Sequence, residues 1–126
     1  MTRLSASWRE MLNELMAKEK KYPCKNGYSK IYEQLLGGEW WAEWPFHPTR
    51  KWRFDYACPE LKIAIEVDGG IFTGGRHSGG VGQLKDMEKG NAACSLGWYV
   101  FHTTPEDMHD LALRKLILQA IELRKC

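Results

Sequence analysis

The spacing of apolar positions changes along the chain, and each change marks an element. Trp8, Leu12, Leu15 and Met16 recur at helical intervals behind Ser7 and Glu10, which have capping-box spacing, so a helix is expected over residues 7–20. Residues 22–27 carry proline, asparagine and glycine and read as a connector. Ile31, Tyr32, Leu35 and Leu36 predict a second, short helix, capped by Ser29 and stopped at Gly37 and Gly38. From residue 39 the bulky β-formers Trp40, Trp41, Trp44 and Phe46, ending at Pro45 and Pro48, suggest an edge strand. Strands over residues 52–58 and 61–68 follow, separated only by Pro59 and Glu60, which implies a tight antiparallel hairpin. Seven glycines between residues 69 and 82 are too many for either regular element and predict a long loop. Residues 83–96 have helical composition with Gly97 where a C-terminal cap belongs, and the compact run at 98–102 suits a strand buried on both faces. Thr104 and Pro105 then open a last helix whose apolar face is Leu113, Leu116, Ile117, Ala120 and Ile121.

This order, ααβββαβα, predicts an α/β fold with a mixed four-stranded sheet flanked by helices. At 126 residues the chain suits one domain, with N-terminal helices over 1–38, a core carrying the chemistry over 39–104 and a C-terminal helix over 105–126. Its 44% hydrophobic and 27% charged residues exclude disordered and fibrous classes. Apolar runs such as that at 63–67 are far shorter than the roughly 20 residues of a membrane span. The start MTRLSASWREM lacks the basic-then-apolar build of a secretory signal, so a cytoplasmic location is expected. The four cysteines, at 24, 58, 94 and 126, lie more than 30 residues apart without any CxxC pairing, which predicts free thiols rather than a zinc knuckle or disulfide framework.

A net charge of +2 does not by itself mark a nucleic-acid binder. Its distribution adds a little: Arg50, Lys51 and Arg53 crowd around Trp52, and Arg76, Lys85 and Lys89 accompany and follow the glycine-rich stretch. Either cluster suits phosphate, and either also suits a plain solvated edge.

The candidate chemistry lies on the hairpin. With Pro59 and Glu60 as the turn, Cys58 pairs with Leu61 and Asp55 with Ala64, and alternation puts Asp55, Glu66 and Asp68 on one face. Ile63, Ile65 and Val67, with Phe54 and Tyr56 beside them, take the opposite, apolar face. Diagonal neighbours on such a ladder are about 7–8 Å apart, close enough for two carboxylates to share a divalent cation. Three acids so close repel unless a cation compensates them or one takes up a proton. The competing reading is an acidic face that serves only solubility.

The blocks WRFDYACPELKIAIEVDGG, GGRHSGG, KDMEKGNAA and LGWYVFHTTP resemble the PD-(D/E)xK nuclease superfamily, and more narrowly small phage and prophage endonucleases of the very-short-patch-repair endonuclease-like group. The likeness spans somewhat under half of the chain and rests on FDY, IEVDGG, GGRH and KDMEKxN in fixed order. It implies a restriction-endonuclease-like core and metal-dependent hydrolysis of DNA phosphodiester bonds, with Asp55 as the first acidic ligand and Glu66 as the acid of the second motif. The Mg²⁺ or Mn²⁺ ligands would be Asp55, Glu66, Asp68 and the Val67 carbonyl.

Asp68 departs from the pattern, because the superfamily usually places lysine two residues after the second acid. Lys85 and Lys89, four apart on one helix face, are the replacements, and Lys89 is preferred for its place in the EKxN segment. The same resemblance gives His77 a role in proton transfer or phosphate contact, makes Arg53, Arg76 and Lys85 phosphate contacts, and matches Glu33 to an extra acid that some members carry in the helix before the sheet. DNA is the implied partner, a phage or mobile element the implied setting, and cutting both strands from one small site favours a homodimer. The alternative is a catalytically silent DNA-binding or assembly module on the same fold. Neither GxxxxGK[ST] nor GxGxxG occurs, which disfavours nucleotide binding. Trp40, Trp41, Trp44 and Trp52 suit either stacking on unpaired bases or packing in a core or dimer contact.

Overall fold

The computed structural model describes residues 22–69 and 80–126, together with Trp8, Glu10 and Met11. Those last three are helical; the rest of the helix expected over 7–20 lies outside the described residues, as do most of the glycine loop and with it Arg76 and His77. The elements are α1 (Gly27–Leu36), β1 (Trp41–Pro45), β2 (Arg53–Cys58), β3 (Ile63–Val67), α2 (Gly80–Ser95), β4 (Tyr99–Thr103), a 3-10 turn (Pro105–Asp107) and α3 (Leu111–Lys125). They build one mixed sheet in the order β1-β2-β3-β4. The first two pairings are antiparallel; β3 and β4 run parallel, joined through α2. No helix among the described residues is long and apolar enough to cross a membrane. Cys24, Cys58, Cys94 and Cys126 are all free thiols.

Local chemistry moved several expected boundaries. α1 begins at Gly27 with Asn26 as its cap: Ser29 N donates to Asn26 Oδ1 at 2.9 Å and Asn26 N donates to Ser29 Oγ at 2.8 Å. Ser29 is thus the returning partner of a capping box and not the cap itself. The β2–β3 connection spans four residues, because Leu61 N donates to Cys58 O at 3.2 Å and Lys62 N to Pro59 O at 3.2 Å. The register therefore pairs Cys58 with Ile63, Ala57 with Ala64 and Tyr56 with Ile65, instead of Cys58 with Leu61. A shift of two residues does not by itself change the face of a side chain but moves partners along the ladder. α2 starts at Gly80, inside the stretch expected to be loop. Thr104 and Pro105 open only the 3-10 turn, and α3 follows from Asp110.

The sheet is covered on both faces. On one, Tyr32 and Leu36 of α1 and Ile117, Ala120 and Ile121 of α3 pack with Trp40, Tyr56, Cys58, Ile63 and Ile65. On the other, Ala93 of α2 meets Ala57 and Ala64, and these small side chains let the helix lie close to the strands. Leu116, expected in the apolar face of α3, is 54% exposed. β4 was expected to be buried on both sides. As an edge strand it leaves Tyr99 and His102 exposed.

Phe54 does not join Tyr56 on the α1–α3 side. It packs in the α2 layer with Phe46, Trp44 and Trp98. The reason lies in β1, where Glu43 has a positive φ of 57° and drops out of the ladder between Ala42↔Tyr56 and Trp44↔Phe54. Ala42 and Tyr56 face one layer, while Trp44 and Phe54 face the other. The pleat changes side at Glu43, and Asp55 sits in β2 between those two pairs, the kind of ladder irregularity that re-aims a side chain.

Candidate active site

Continuing the β2–β3 register by one residue sets Asp55 across from Glu66, as a direct neighbour and not the diagonal one expected from a shorter turn. Asp55 is fixed by the next backbone group, since Val67 N donates to its Oδ2 at 2.7 Å. Glu66 lies on a strand whose preceding residues Ile63, Ala64 and Ile65 are fully buried, which carries its carboxyl into the layer beneath α2.

Lys89 reaches down from α2 to meet it. Its ammonium donates to Glu66 Oε1 at 2.6 Å and to the Arg53 carbonyl at 2.7 Å, and lies 5.8 Å from the centre of the Phe54 ring. The Glu66 side chain is only 14% exposed and that of Lys89 25%. Burial pushes the Glu66 carboxyl up to about 7; the Lys89 hydrogen bond and charge oppose this, and the neighbouring Asp55 reinforces it. Carboxyls raised by burial despite a lysine in contact cluster at functional sites.

The parallel β3–β4 register sets His102 beside Glu66 and Thr103 beside Val67. Asp68, expected to complete the acidic cluster, is engaged by β4. Its N donates to Thr103 O at 2.7 Å, and its Oδ2 lies 3.0 Å from His102 Nδ1. A carboxylate only accepts, so the Nδ1 proton points at Asp68. Asp68, expected among the metal ligands, thus meets His102 of the parallel strand. Among the described residues no three His, Cys, Asp or Glu side chains converge on one point.

Asp55 and Glu66 still suit a magnesium-type ion. Such ions favour oxygen donors, keep several waters and are commonly held through one or two carboxylates. Both acids present hard oxygen atoms, and burial, with a smaller contribution from Asp55, raises the Glu66 carboxyl.

The remaining expected residues fall elsewhere. Arg53 is engaged by Glu43, Nε to Oε2 at 3.1 Å, and its guanidinium lies 3.8 Å over the Tyr22 ring. Lys85 is exposed one turn before Lys89 on α2, so the structure separates the two lysines that the sequence left as alternatives. Glu33 does not join the site: it binds Lys25 and accepts from Trp40 N at 3.0 Å, at the junction of α1 and β1. Two residues escaped sequence reasoning. His102 is the one histidine in the run 98–102, and a parallel return beside β3 would have placed it near the second acid. Glu43 interrupts an aromatic-rich strand, a signal that was present but read as part of the strand.

Comparison with known proteins finds no match, whether to a protein-family model, a curated protein or a solved structure.

Proposed function

We propose that the chain is a metal-dependent endodeoxyribonuclease with a restriction-endonuclease-like core, Asp55 and Glu66 being its acidic pair and Lys89 its lysine. The observation that carries this reading is the meeting of Lys89 with Glu66 next to Asp55. The motif position two residues beyond Glu66 holds Asp68, yet an ammonium reaches the second acid from α2 instead, so the charge set of the resembled family is present by another route. The element order and the antiparallel-then-parallel sheet agree with that family's core.

Mg²⁺ or Mn²⁺ held by Asp55 and Glu66, with the Val67 carbonyl adjacent, would polarise the phosphate and lower the pKa of a bound water. The protein's own groups do the rest. Val67 N keeps Asp55 oriented. Lys89, anchored by the Arg53 carbonyl, offsets negative charge developing on the phosphate. Asp68 holds the His102 ring by Nδ1, which leaves Nε2 to exchange a proton with the departing oxygen. Arg76, His77 and Lys85 keep their proposed phosphate contacts in and after the glycine loop. Cutting both strands would call for two copies, and a phage or mobile-element setting follows from the resemblance alone.

The second reading, a silent DNA-binding module, draws on the same ion pair, because Lys89 already occupies one oxygen of Glu66. The two part in one assay. Plasmid, hairpin and branched DNA are incubated with purified protein in Mg²⁺, Mn²⁺ or EDTA. Nicking that needs metal and is lost in Asp55→Ala supports the nuclease, whereas DNA binding without cleavage under every condition supports the module.

A further inference from the structure

Four tryptophans lie between residues 40 and 52, and the structure gives them different fates. Trp40 is fully buried with its Nε1 donating to Gly37 O at 2.9 Å. Trp44 packs in the α2 layer, and Trp41 lies under the Lys25 ammonium at 4.2 Å. Trp52 alone ends a column of rings. Phe46 stacks on Phe54 at 4.0 Å with 7° between planes, and on the other side of the turn it is near-parallel to Trp52 at 6.3 Å and 12°. The inner member, Phe54, is the ring beside Lys89. Trp52 is therefore two ring-to-ring steps from the ammonium at the acidic pair.

A face of Trp52 is covered by one cation. The Arg50 guanidinium sits 4.0 Å from the ring centre. The turn that delivers it is organised by His47, whose Nδ1 accepts from Arg50 N at 2.9 Å and Thr49 N at 3.2 Å. Arg50 is steadied from the other side by Glu88, one residue before Lys89 on α2, at 2.8 Å. Both side chains of that pair are about half exposed, 47% and 54%, so water competes for it and it holds weakly. A planar cation on an indole face occupies the place where a planar base stacks, and aromatic faces accept any base. Lys51 and Arg53 flank the ring in sequence and add positive charge along the same segment.

We propose that the Arg50-covered face of Trp52 is a stacking shelf for an unpaired base of a DNA strand, closed by Arg50 in the free protein and opened when Arg50 leaves Glu88 for a phosphate. This deepens the nuclease reading and rests on it for the identity of the polymer: the substrate would be single-stranded or locally opened DNA rather than continuous duplex. The two ring steps to Lys89 would then set the distance between the stacked base and the phosphate being cut.

The test is binding, read in EDTA so that cleavage plays no part. A fluorescent twelve-nucleotide oligo-dT and a twelve-base-pair duplex are titrated and followed by anisotropy. Trp52→Ala should weaken single-strand binding by roughly 5- to 100-fold, the loss typical of one stacked base, with less than a twofold change on duplex. Equal losses on both probes, or none on the single strand, would overturn the shelf. Should circular dichroism show Trp52→Ala misfolded, Trp52→Phe and Glu88→Gln decide instead. The first keeps a ring and should bind within about threefold of the native chain. The second frees Arg50 without touching the column and should tighten single-strand binding severalfold; an unchanged affinity there removes the latch and with it the proposal. Absence of metal-dependent nicking would defeat the nuclease reading while leaving these binding results unaffected, so the two failures can be told apart.

Discussion

Among the described residues two lysine–glutamate contacts share the same chemistry, and their carboxyls are shifted in opposite directions. At the α1–β1 junction, Lys25 binds Glu33, donates to Trp40 O at 2.7 Å and lies over the Trp41 ring, while Glu33 also accepts from Trp40 N. The Lys25 hydrogen bond, followed by that from Trp40 N, holds the Glu33 carboxyl below its ordinary range. At the β2–β3–α2 junction, Lys89 binds Glu66 just as closely, yet the Glu66 carboxyl is pushed up to about 7. Burial and a second acid separate the two cases: the Glu33 side chain is 28% exposed and no neighbouring carboxylate raises it, whereas that of Glu66 is 14% exposed, under α2 and next to Asp55. Ion pairs alone therefore say little about role. In both pairs the lysine lowers its acid; what differs is that burial outweighs the lysine at Glu66 and does not at Glu33.

The most damaging way to break this contrast is at the acids. Asp55→Ala and Glu66→Gln should each reduce metal-dependent nicking of plasmid DNA to the level seen in EDTA, and Glu33→Gln should leave the rate unchanged. Cleavage surviving in Glu66→Gln would mean that the strained pair is no catalytic centre. Next come the cations. Lys89→Met should cost about 10²- to 10³-fold in single-turnover rate, the usual loss when one charge-stabilising donor is removed. Lys25→Met should cost nothing there and show only in thermal stability.

The raised Glu66 carboxyl also predicts a pH dependence of folding in the metal-free protein. Because the folded state holds this proton more tightly than the unfolded chain, its contribution is complete below the ordinary value of 4.5 and is lost as pH rises through about 7. Between those limits the loss approaches about 3 kcal/mol at its upper end. Urea denaturation in EDTA at a series of pH values should show that decline in the native chain and a flatter curve in Glu66→Gln. A native curve that rises through this window would contradict the burial argument.

Much of this architecture was legible in the sequence, and the misses have definite causes. The 3.6-residue and two-residue periodicities found the order of elements, and the alternation along the hairpin placed Asp55 next to the strand that carries Glu66. The hairpin was set two residues out of register because Pro59 and Glu60 look like a complete two-residue turn, while the chain uses Leu61 and Lys62 as well, the latter with φ of 53°. Phe54 was assigned to the wrong layer because strict alternation cannot anticipate a backbone reversal at Glu43. The choice between Lys85 and Lys89 depended on how far α2 is rotated about its axis, which spacing alone leaves open. The Asp68 contact with His102 was not legible, since His102 comes from a parallel strand 34 residues later, a contact that belongs to topology.

The smallest expected effect gives the sharpest form of the comparison. Glu33→Gln should lower the melting temperature only modestly at pH 7, since the contact is partly exposed and Lys25 retains the Trp40 carbonyl. Its pH dependence, though, must run opposite to that of Glu66→Gln. A depressed carboxyl contributes stability above its unfolded value, and that contribution disappears as pH falls through the folded one. The gap between native chain and Glu33→Gln should therefore close on acidification below about 4.5. For Glu66→Gln the variant should gain on the native chain as pH rises from 4.5 towards 7. Two substitutions that each remove one carboxylate from a lysine would thus trace slopes of opposite sign. Slopes of the same sign would mean that burial and the neighbouring Asp55 do not separate the two pairs, and the case for a functional site at Glu66 would lose its electrostatic basis.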